Sequence, residues 1–63
     1  MTLKNLLQTL SNTERLIISR KEGGLYTGNI KGAYRSYRHC LDNQVISIKH
    51  HETEKRTLFI DIV

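Results

Sequence analysis

Between residues 29 and 41 the chain reads NIKGAYRSYRHCL, and three cations, Lys31, Arg35 and Arg38, stand there with no acid among them. Lysine and arginine neutralise phosphates, and arginine can pair bidentately with a phosphate or a carboxylate. A tyrosine ring can stack on a base or nucleotide, and Tyr34 and Tyr37 are interleaved with the cations. On a helix Lys31, Arg35 and Arg38 recur at i, i+4 and i+7 and would form one basic stripe. Ile30, Tyr34, Tyr37 and Leu41 recur at the same spacing and would form a separate apolar one. Tyr26, shortly before Gly28, would extend the same surface. Tyr26, Lys31, Tyr34, Arg35, Tyr37 and Arg38 are therefore the candidate ligand- or partner-binding residues. The competing assignment buries Tyr34, Tyr37 and Leu41 and leaves the cations as a solvated outer side.

Other chemistry is weakly signalled. His39, Cys40, His50 and His51 carry ligand atoms. Adjacent residues on a strand point to opposite faces, so each pair supplies at most one convergent ligand, and no zinc-finger or zinc-ribbon spacing is present. A nucleophilic pair drawn from Cys40 and His50 has no orienting third group. The six acids are scattered, without the close pairing that separates two carboxyl pKa values. Gly23, Gly24, Gly28 and Gly32 could form a nest of backbone amides, but no phosphate-loop lysine accompanies them, and turn glycine is the plainer assignment. No catalytic residue, cofactor or metal is implied, and the expectation is a non-enzymatic protein.

Sixty-three residues bound the chain to one domain. A core that small supplies about 3–5 kcal/mol, so an additional staple is expected. A lone cysteine rules out an internal disulfide, leaving self-association as a homodimer. Ten Lys and Arg against six Asp and Glu give a net charge of +4, which tilts the expected partner toward an anionic ligand, nucleic acid or an acidic protein surface. The lone cysteine suits a reducing cytoplasm, and no apolar run approaches the ~18 residues of a membrane span.

The elements that must position these groups follow from periodicity. Leu3, Leu6, Leu7 and Leu10 lie at i, i+3, i+4 and i+7, the stripe of a short amphipathic helix capped by Thr2 and stopped at Ser11-Asn12. Residues 14–20 read as a strand on the β-branched Ile17-Ile18 pair, although a Ser11-x-x-Glu14 capping box would suit a helix closed by Gly23-Gly24. The KEGG sequence then makes a four-residue hairpin connection into a strand at residues 25–27. Residues 29–41 form a short helix, or a loop ending in one or two turns, since Gly32 weakens a helix. Residues 45–63, VISIKHH-ETEK-RTLFIDIV, alternate as a β-hairpin.

The sum is an α+β fold, an N-terminal helix packed on a small, mainly antiparallel four-stranded sheet with a short helix or loop between two hairpins. The predicted core is Leu3, Leu6, Leu7, Leu10, Leu16, Ile18, Ile46, Ile48, Leu58, Ile60 and Ile62. His50, at the end of that apolar face, is expected to be half-buried. Ile17, Val45, Phe59 and Val63 would lie on the opposite face as an apolar patch needing a cover, the second helix or another subunit.

The opening TLKNLLQTLSNTERLIIS, the middle LYTG and the closing LDNQVISI and TLFIDIV resemble small proteins encoded by phages and prophages of Gram-positive bacteria. The resemblance spans nearly the whole chain on short aliphatic motifs, while the basic KGAYRSYRHC segment departs from a more acidic pattern. It implies the same fold and a bacterial host cytoplasm, with no catalytic residues. The expected function is that of a phage accessory factor that captures or blocks a macromolecule or a nucleotide-like anion, for example a host-defence component. The alternative is a DNA-binding regulator of winged helix-turn-helix type, with helices over residues 12–22 and 27–38 and residues 45–63 as wing. A third possibility is an interaction module whose sheet edge pairs with a partner strand.

Overall fold

The computed structural model describes residues 1–10, 15–50 and 56–63. In chain order these form helix α1 (Leu3–Thr9), strands β1 (Arg15–Arg20) and β2 (Leu25–Gly28), helix α2 (Ile30–Ser36), a 3-10 turn (Arg38–Cys40), and strands β3 (Val45–His50) and β4 (Thr57–Ile62). The fold is α+β. The strands make one sheet in the order β2-β1-β4-β3, in which both hairpin pairings are antiparallel and the central β1–β4 pairing is parallel.

Each element has a local cause. Thr2 opens α1 with a capping box: its hydroxyl accepts from the Asn5 amide at 3.2 Å, and Asn5 Oδ1 accepts from the Thr2 amide at 3.3 Å. The amides of Leu3 and Lys4 donate to the carbonyls of Asn43 and Leu41, so the loop before β3 satisfies part of the helix start. Asn43 also donates through Nδ2 to the Val63 carbonyl, tying that loop to the end of β4. The β1–β2 connection turns at Gly23 and Gly24, with φ of 110° and 115°, a region that residues with a side chain rarely adopt. The predicted stop at Ser11-Asn12, the Ser11–Glu14 capping box, His51 and the ETEK connection over residues 52–55 fall outside the described residues.

One sheet face is covered by α1 and α2. Leu16, Ile18, Leu58, Ile60 and Ile62 meet Leu3, Leu6 and Leu7 of α1 there, and Ala33, Tyr37 and Cys40 complete the buried cluster. Leu10 and Val45 pack against it partly buried. Two expected core residues are not in it. Val45 lies opposite Ile62 and Ser47 opposite Asp61, so Ile46 is an extra residue with no partner in β4. That bulge resets the alternation: Val45 joins the core side instead of the far face, and Ile46 is 56% exposed. Ile48 keeps the core-side register, opposite Ile60, but lies on the edge strand and is 41% exposed. His50 is exposed for the same reason.

Two alternatives left open by the sequence are decided. Residues 15–20 are a strand, so the first helix that a winged helix-turn-helix would need is missing. Gly32 does not break α2, which begins at Ile30 with Asn29 Oδ1 accepting from the Gly32 amide at 2.7 Å.

Candidate anion-binding surface

α2 carries the basic stretch on the outside of the helical layer. Lys31 and Arg35 are exposed and lie one turn apart, while Ala33 is fully buried against the sheet. The helix ends at Ser36, and Tyr37, with φ −111° and ψ 32°, turns the chain into the 3-10 turn that holds Arg38 and His39, both exposed. The basic run is thus split between a helix and a tighter turn. Among the described residues none of Lys31, Arg35 and Arg38 forms an ion pair; the Arg20–Glu22 contact at 3.7 Å lies at the β1–β2 turn.

Lys31 and Arg35 share a surface depression of about 290 Å³ with Asn29 and Gly32. Tyr26 packs against two of the residues lining this depression, Asn29 and Gly32. The Tyr26 hydroxyl donates to the Asn29 carbonyl at 2.8 Å and occupies the space that a Cβ on either Gly28 or Gly32 would fill. Glycine at both positions therefore lets β2 and α2 close around one phenol, a reason for these glycines that turn propensity alone does not reveal. A cleft lined by a guanidinium, an ammonium and a carboxamide side chain suits a phosphate-like anion, because both cations can approach it without first breaking an ion pair.

The six candidate residues separate into two groups. Lys31, Arg35 and Arg38 are on the surface, and Tyr34 is half-buried with its ring against the core. Tyr26 is half-buried too, its hydroxyl already committed to Asn29 and its ring 6.0 Å from that of Tyr37. Tyr37 is a core residue, 8% exposed, with its hydroxyl 3.4 Å from the Ile18 carbonyl, and it is removed from the set that could stack on a ligand. Burial pushes its phenol above the ordinary 10.0, partly opposed by the positive charge of Arg20. Asn29, absent from the sequence-based set, belongs to the depression; its place ahead of a basic helix was the available signal.

Cys40 is buried in the core, whereas His39 and His50 are exposed. Among the described residues no three His, Cys, Asp or Glu side chains are grouped as they would be to hold a metal ion, and no helix is long and apolar enough to cross a membrane. Comparison of the chain with protein-family models, with curated proteins and with solved structures finds no match.

Proposed function

We propose that this protein is a non-enzymatic binding module that captures a phosphate-bearing, nucleotide-like anion, free or within a macromolecule, on the outer side of α2. The observation that carries this is the depression that Lys31 and Arg35 share with Asn29 and Gly32, with both cations exposed and neither ion-paired among the described residues. Arg38, on the adjoining 3-10 turn, adds positive potential near the same surface. Tyr26 acts by fixing the turn that starts α2 rather than by stacking on the ligand. Capture of this kind would let a small phage-encoded factor sequester a nucleotide or cover a phosphate-rich surface, the role that the resemblance implies.

The test is a titration of the full chain with a fluorescein-labelled single-stranded oligonucleotide at low and at physiological salt, with inorganic pyrophosphate as competitor. Binding that weakens steeply with salt and is displaced by pyrophosphate is expected. Absence of binding at low salt would sink the proposal.

A further inference from the structure

On the sheet face turned away from the helices Thr57, opposite Arg15 at one end, is buried, while the rows beyond it are half-buried to exposed. The cross-strand rows of this face can be read from the registers: Thr27, Ile17, Phe59 and Lys49 form one, and Leu25, Ser19, Asp61 and Ser47 form the next. Leu25 is 69% exposed, Phe59 is 36% exposed, and the bulge adds Ile46 to the same side. Ile46, Ser19, Lys21, Asp61 and Ile62 line a shallow, mostly apolar groove of about 360 Å³, room for one large side chain. Ile17 and Phe59 adjoin at the centre of this face, with Leu25 and Ile46 on its two edge strands. An exposed apolar area of this extent on a chain this small marks a contact surface.

Charge decides what would cover it. By register Arg15 and Lys49 lie on this face, and Lys21, in the turn after β1, lines the groove; the one carboxylate with them among the described residues is Asp61, which already accepts from Ser47 Oγ at 2.7 Å. A second copy would bring the same cations against one another, and like charges across an interface oppose association. A single-stranded nucleic acid would be steered by the cations, but such platforms stack several bases on several rings, and among the described residues this face offers the one ring of Phe59 beside aliphatic side chains. We infer that the face docks an acidic protein segment carrying a large apolar side chain. That side chain would enter the groove beside Ile46, and its flanking carboxylates would meet Lys21 and Lys49. This surface lies on the opposite side of the sheet from α2 and is independent of the anion site.

Three synthetic peptides test this against the full-length chain by amide chemical shifts: an Asp/Glu-rich peptide with central Phe and Leu, its Lys-for-acid counterpart, and its Ser-for-Phe/Leu counterpart. The acidic apolar peptide is expected to shift Ser19, Lys21, Ile46 and Phe59, and to bind roughly tenfold more tightly than either counterpart. Ile46→Glu should weaken it by a similar factor. Should that variant fail to fold, Lys21→Glu in the exposed turn after β1 gives the same readout. The inference is overturned by equal binding of the Lys peptide, by shifts confined to α2, or by no shifts at millimolar peptide. It is overturned equally if the chain alone dimerises through these residues, or if a single-stranded oligonucleotide shifts them in preference to the acidic peptide.

Discussion

The phenol of Tyr26 donates to the main-chain carbonyl of Asn29 across 2.8 Å, joining the end of β2 to the residue that caps α2. Because the same hydroxyl fills the space above Gly28 and Gly32, the turn, the helix start and the Asn29 and Gly32 lining of the cationic depression form one packed unit. The placement of Lys31 and Arg35 depends on it.

That unit reverses the usual consequence of a helical glycine. Replacing glycine by alanine inside a helix ordinarily stabilises it by about 0.5–1 kcal/mol. Here Gly32→Ala would drive a Cβ into the Tyr26 hydroxyl, and the expected result is destabilisation by about 1–3 kcal/mol in urea denaturation. Combining it with Tyr26→Phe should recover part of the loss, since the two substitutions share one contact. Additive losses would contradict the packing described.

The bulge in β3 gives a second contrast. Ile60 is fully buried between β1 and β3, and Ile60→Ala should cost about 2–5 kcal/mol, enough to unfold much of a chain of this size. Ile46→Ala, at the unpaired position of the bulge, should stay within about 0.5 kcal/mol. Equal losses in thermal denaturation would mean that Ile46 faces the core and that the register of β3 is wrong.

Tyr37 links stability to alkaline pH. Its pKa is raised in the folded chain, mainly by burial, so the folded state holds the phenolic proton to higher pH than the unfolded state does. Above about pH 10, where the unfolded phenol ionises, the folded state binds more protons and stability must fall with rising pH. Tyr37→Phe should remove that alkaline loss. Its cost at neutral pH should be only about 0.5–1.5 kcal/mol, because the bond it deletes, to the Ile18 carbonyl, is long at 3.4 Å. Melting temperatures from neutral pH to pH 11 would show the difference, and an unchanged alkaline slope in the variant would place the titration elsewhere.

Much of the architecture was legible because it follows from side-chain period. The leucine stripe of α1, the β-branched pair in β1, the double glycine of the first turn and the closing hairpin each point to the element that forms. Ile46 and Ile48 were misplaced because period-2 alternation carries no mark of a bulge and none of which strand lies at an edge. Ala33 and Cys40 were missed as core because small residues inside a basic run do not stand out. Tyr37 lies in the core with Ile30, Tyr34 and Leu41 packed against it, as the competing assignment of that apolar stripe has it. Of the site, the exposed cations were legible, whereas the roles of Asn29, Gly28 and Gly32 depend on where the Tyr26 hydroxyl goes, which only the fold shows.

The most direct measurement compares Arg35→Glu with Lys4→Glu in oligonucleotide and pyrophosphate binding. Both residues are exposed, and both substitutions change the net charge equally, but Arg35 lines the depression on α2 and Lys4 lies on α1. A site at α2 predicts at least about tenfold weaker binding for Arg35→Glu and only a small change for Lys4→Glu, both folded by circular dichroism. Equal weakening of the two would show that the anion responds to overall charge alone and that α2 holds no site.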